Sequence, residues 1–143
     1  MQRNDARRLL GHGALVVLLG MLVGFPYAEA VSSGGDVRAW RMAHLEGVLN
    51  GLLMMAVAAA GPLLTLPVRG SKVLRWALVI TGYGNVLAAT LGAASGQRGL
   101  QAGGPLANQL VFVGFLAAVL AVLVALVCVA WGALRADDEG GPR

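Results

Sequence analysis

Residues 41–66 read RMAHLEGVLNGLLMMAVAAAGPLLTL. Over residues 42–66 the only ionisable side chains are His44 and Glu46, both near the start. As a helix rising ~1.5 Å per residue, such a run is long enough to cross the ~30 Å of hydrocarbon in a bilayer. Three further segments of the same kind flank it, over residues 9–30, 73–94 and 107–134. The expected fold is therefore all-α: a four-transmembrane-helix bundle forming a single domain over residues 1–143.

Composition agrees. Of the 143 residues, 57% are hydrophobic and 13% are charged, against about 25% charged in soluble domains. The mean hydropathy is +0.73. The basic residues form short clusters between apolar runs, with no stripe of interleaved aromatics, so nucleic acid is excluded as the expected partner. The expected surroundings are lipid. Cys128 is the single cysteine. Its aliphatic neighbours in VALVCVAW point to a structural, inert thiol.

The linkers VSSGGDVRAW, PVRGSK and SGQRGLQAGGP carry the glycine, serine and proline expected of loops. The C-terminal ADDEGGPR is polar and is expected to fray. Four spans put both termini on one side. Arg3, Arg7, Arg8, Arg69, Lys72, Arg75, Arg135 and Arg143 fall on that side, eight in all, against three on the other, Arg38, Arg41 and Arg98. The positive-inside rule then places both termini in the cytoplasm of a bacterial-type inner membrane. Ala28-Glu29-Ala30 after an apolar run also has the form of a secretory cleavage site. The run is long for a signal and contains His12, and cleavage would leave an odd number of spans, so the segment is read as the first span.

Packing signals are present. Gly20-x-x-x-Gly24 and Gly47-x-x-x-Gly51 each put two glycines on one helix face, which favours close helix approach in a tight bundle or an oligomer.

The candidate functional residues are the polar groups inside the spans: His12, His44, Glu46, Asn50, Tyr83 and Asn85. Ionisable groups at membrane depth are functional candidates by default. His12 lies between two glycines; it is either an interfacial histidine bonded to a carbonyl or headgroup, or a second ligand or gate. At ~100° per residue His44 and Glu46 point in nearly opposite directions, whereas Glu46 and Asn50 share a face. They serve two sites, border one broad cofactor across adjoining protomers, or form an interfacial charge cluster. Asn85 is too deep for headgroups and needs a helix partner, for which Asn50 is a candidate. Several chemistries are excluded. There is no Cys-x-x-Cys, phosphate loop or HExxH, and two histidines with one deep carboxylate do not make a closed zinc site. A lone imidazole suffices as a haem axial ligand.

Three motifs in order, Gly11-His12-Gly13, Ala43-His44-Leu45-Glu46-Gly47-Val48-Leu49-Asn50-Gly51 and Gly82-Tyr83-Gly84-Asn85, resemble the small four-helix membrane isomerases that include styrene oxide isomerase and hydroxylaminobenzene mutase. The likeness covers the whole chain, and the second motif is its most specific part. It implies a homotrimer with haem b between subunits, His44 as axial ligand to the iron, and Asn50 orienting the substrate oxygen. The chain departs from styrene oxide isomerases at Thr81 and Ala89, where they have an acid and a tyrosine, and at Glu46, where they lack a carboxylate. AHLEG is more similar to the mutase branch. The resulting expectation is a haem-dependent isomerase acting on a small aromatic substrate, turning an arylhydroxylamine into an aminophenol. Glu46, Asn50, Tyr83 and Asn85 are the expected catalytic residues and His44 the cofactor ligand. Epoxide isomerisation, a haem-binding subunit without isomerase activity and a structural membrane protein are the alternatives.

Overall fold

The computed structural model describes residues 1–139. It contains four long helices: α1 over Arg3–Ser33, α2 over Val37–Ala60, α3 over Val68–Ser95 and α4 over Leu106–Glu139. There are no strands among the described residues. All four helices are long and apolar enough to cross a membrane. Large apolar side chains such as Leu116, Leu120, Leu123 and Val127 on α4 face outward, as hydrocarbon requires. The chain is a multi-pass membrane protein.

Local chemistry sets the breaks. Gly34 closes α1 in the left-handed region, at φ 76°, and its N–H bonds to Ala30 O. Glycine occupies that region without a Cβ penalty. Two residues later the Asp36 carboxylate caps α2 by accepting the Ala39 N–H at 3.0 Å. Pro62 has no N–H to continue α2, so the chain tightens into a 3-10 turn over Gly61–Leu63 and runs on without helix over residues 64–67. The second apolar segment thus includes its own exit turn. At the other end Asn108 holds the α3–α4 loop: its carbonyl accepts the Gly99 N–H, and its amide donates to Gln101 O and Gly103 O.

α1 and α2 are antiparallel and touch through glycine. A Cβ on Gly20 would lie 2.6 Å from Val48 N, and one on Gly51 would lie 2.7 Å from Gly13 O. Gly13 and Gly20 therefore face Gly51 and Gly47. Gly24, the second glycine of the α1 motif, lies instead beside the His44 ring, at 3.4 Å from a built Cβ to Nδ1. α3 packs on α1 and α2 together. α4 packs along α3 and on the 3-10 turn but, among the described residues, not on α2 or α1.

The N-terminal end of the bundle is knotted by polar contacts. Met1 N donates to Gly61 O and Leu64 O, Gln2 N–H to Ser71 Oγ, and Thr65 N–H to Gly132 O. Asp5 and Arg75 form an ion pair of 2.8 Å that is nearly buried. Arg75 also lies over Trp76, and Arg135 over Trp131. The start of α1, the α2–α3 turn and the last turns of α4 share this end.

Candidate active site

His44 sits in the second turn of α2, half-buried against α1. Its Nδ1 is 2.9 Å from Gly20 O. A carbonyl can only accept, so Nδ1 carries the proton and donates. That bond fixes the tautomer and leaves the Nε2 lone pair available. Among the described residues Nε2 has no hydrogen-bond partner. The Tyr27 ring lies alongside, nearly parallel to the imidazole, with centroids 6.1 Å apart and planes at 17°.

Glu46, Asn50 and Asn85 form a second constellation. Asn50 Nδ2 donates to Glu46 Oε2 and to Glu46 O, both at 2.8 Å. Two acceptors on that side require the nitrogen there, so the amide orientation is forced. Asn85 Nδ2 donates to Asn50 Oδ1 at 3.3 Å. Both Asn50 hydrogens are thereby committed to Glu46, and Asn85 keeps one N–H free. Asn85 is one turn beyond Thr81 on the same face of α3. The one hydroxyl hydrogen of Thr81 is shared between Ala77 O at 2.9 Å and Ala118 O at 3.3 Å, so this face of α3 is the floor between α2 and α4. Because α2 and α4 do not pack together, the trough is open on its outer side, and Glu46, Asn50 and Asn85 are all half-buried in it.

His12 and Tyr83 make the third. His12 Nδ1 and the Tyr83 hydroxyl are 3.3 Å apart, with the rings edge to face at 85°. His12 is thus paired with a phenol on α3, and neither a carbonyl nor a headgroup is needed. Tyr83 is two residues before Asn85, so it points to the opposite side of α3, toward α1. Of the expected site residues, the single chain brings Glu46, Asn50 and Asn85 together. It places His44 on another face of α2 and Tyr83 with His12. Tyr27 escaped the sequence reading, since an aromatic in an apolar run carries no signal until its neighbour is known.

Thr81 and Ala89, two of the three positions read as departing from the epoxide branch, are buried. The Thr81 hydroxyl is taken up by Ala77 O on its own helix and Ala118 O on α4. Among the described residues no three His, Cys, Asp or Glu side chains are grouped to hold a bare metal ion.

The family model for styrene oxide isomerase matches residues 5–134. The chain belongs to the styrene oxide isomerase family. That match spans all three constellations and the four helices that carry them. Hydroxylaminobenzene mutase HabB of Ectopseudomonas oleovorans is 32% identical over 135 residues, covering 89% of this chain and 80% of the relative. As a styrene oxide isomerase family member with a mutase relative, the chain is an isomerase or mutase.

Proposed function

We propose that the chain converts an arylhydroxylamine such as hydroxylaminobenzene into 2-aminophenol, with haem b held at His44. The reaction is internal: an N–O bond breaks, a C–O bond forms on the ring, a ring carbon loses its proton and nitrogen gains one. Atoms and electrons balance without an external oxidant or reductant.

The observation that carries this reading over epoxide opening is the Glu46 carboxylate, held in the trough by Asn50. Two proton transfers accompany the rearrangement, and a positioned carboxylate suits both. Asn50 aims the carboxylate, and the free N–H of Asn85 is the donor available to the migrating oxygen. Thr81 offers no substitute acid. The relative's name supports the same choice.

The donor set at His44 fits a haem ligand. An imidazole with Nδ1–H on a backbone carbonyl and Nε2 open is the arrangement that metal-ligating histidines adopt. When bound, ferric haem supplies a Lewis acid that polarises a heteroatom with no net redox change. Haem b between the subunits of a homotrimer is what the family resemblance implies. The open trough supports an oligomer too, because a carboxylate facing hydrocarbon is costly and a second subunit would cover it.

The test offers phenylhydroxylamine and styrene oxide separately to the purified protein. A Soret band, its loss in His44→Ala and faster turnover of phenylhydroxylamine to 2-aminophenol are expected. Rapid phenylacetaldehyde formation without aminophenol replaces the reading with epoxide isomerisation. A Soret band with neither product leaves a haem-binding subunit, and unchanged haem content in His44→Ala moves the ligand to another residue.

A further inference from the structure

Three positions on α1 address the imidazole of His44. Gly20, Gly24 and Tyr27 stand at i, i+4 and i+7, which puts them on one stripe of the helix. Gly20 supplies the carbonyl that accepts the Nδ1 proton at 2.9 Å. Gly24 supplies space: an added Cβ would already lie 3.4 Å from Nδ1 and 3.6 Å from the next ring carbon, so any longer side chain would reach across the ring. Tyr27 supplies a plane, tilted by 17° from that of the imidazole.

These contacts do different things. The hydrogen bond fixes one atom of the imidazole and its tautomer. It limits rotation about Cβ–Cγ, since that rotation carries Nδ1, but still allows the ring to pivot over the range in which Nδ1 stays within reach of the carbonyl. A flat neighbour within stacking range opposes that pivot, and a centroid separation of 6.1 Å is inside the 4.5–7 Å range in which aromatic pairs attract.

We propose that Tyr27 is a positioning residue for His44, holding the imidazole plane so that Nε2 presents its lone pair in one direction. This rests on the reading of His44 as the haem ligand. Tyr27 acts through its ring, not its hydroxyl. Tyr27→Phe therefore preserves the effect and Tyr27→Leu removes it.

The experiment uses the haem-loaded, full-length protein with either substitution. Ferric electron paramagnetic resonance reports the orientation of the axial imidazole, and transfer of haem to excess apomyoglobin reports its release. Tyr27→Phe should retain the native signal and release rate. Tyr27→Leu should broaden the signal and release haem roughly three- to tenfold faster, the scale of one aromatic pair. A native signal and rate in Tyr27→Leu, with haem still bound through His44, overturn the Tyr27 assignment and leave the haem reading intact. A native protein with no Soret band removes both. Where Tyr27→Leu does not accumulate, the native apoprotein decides by nuclear magnetic resonance with labelled histidine. The His44 ring protons should show the shift imposed by a neighbouring aromatic face, and unshifted protons overturn the assignment.

Discussion

In the proposed reaction, Glu46 is the residue on which the choice of substrate rests. Its side chain makes a hydrogen bond that a glutamine can also accept, since Asn50 Nδ2 needs only a carbonyl oxygen opposite it. Glu46→Gln therefore keeps the trough assembled and removes only the capacity to take and return a proton. The expected outcome is a loss of about 100-fold or more in turnover of phenylhydroxylamine, the usual scale for a general acid–base, with the Soret band unchanged. Turnover within a fewfold of the native value would make Glu46 a structural partner of Asn50. Part of this cluster is legible in the sequence. Glu46 and Asn50 are four apart on a helix, and a deep amide such as Asn85 needs a partner that only another polar side chain can provide. Tyr27 over His44 and His12 on Tyr83 are not legible, because each pairing depends on how α1 lies against another helix. Nor does spacing reveal that Asn50 spends both hydrogens on Glu46.

At the scale of the helix, the α1–α2 crossing depends on the absence of side chains. A Cβ on Gly47 would lie 2.7 Å from Gly20 N and 3.0 Å from Val86 Cγ2, so the backbones of α1 and α2 must part to admit it. Gly47→Ala should destabilise the folded protein by about 1–3 kcal/mol, as overpacking of a tight contact does, in reversible unfolding from mixed micelles. Gly11→Ala is the control. Nothing lies within 4 Å of a Cβ there, and the change should be neutral or favourable by up to about 1 kcal/mol, the difference in helix propensity. Equal effects at both positions would show that the crossing tolerates a wider gap. The sequence announces this contact in part. Gly47 and Gly51 do pack as a pair, but on α1 the partners are Gly13 and Gly20, because seven residues return to the same face as well as four do. The helices also outrun their apolar segments. α1 begins at Arg3 and α2 at Val37, well before the hydropathy rises. Hydropathy follows the solvent, whereas a helix continues for as long as its backbone hydrogen bonds do.

For the molecule as a whole, the distribution of charge bears directly on which way the bundle faces. The start of α1, the α2–α3 turn and the end of α4 lie together, joined by the bonds of Met1, Gln2 and Thr65. Seven of the eight basic residues assigned to that side lie in these segments or, for Arg69, Lys72 and Arg75, in the first turns of α3; Arg143 lies outside the described residues. Arg75 is spent on Asp5 in a nearly buried pair, which still leaves six cations at this end against Arg38, Arg41 and Arg98 at the other. Trp76 and Trp131 each lie under an arginine at this end, the kind of pairing expected where a helix meets headgroups. We propose that this end faces the cytoplasm. His44, one to two turns from the start of α2, then lies toward the opposite surface. A fluorescent-protein fusion after Arg143 should glow, and alkaline phosphatase inserted at the Gly34-Gly35 turn should be active, since one folds inside and the other only outside. Replacing Arg3, Arg7 and Arg8 together by asparagine should lower both signals, as the bias between the two ends falls from eight against three to five against three. Dark C-terminal fusions with an inactive phosphatase at Gly35 would invert the molecule and carry His44 to the cytoplasmic half of the bilayer.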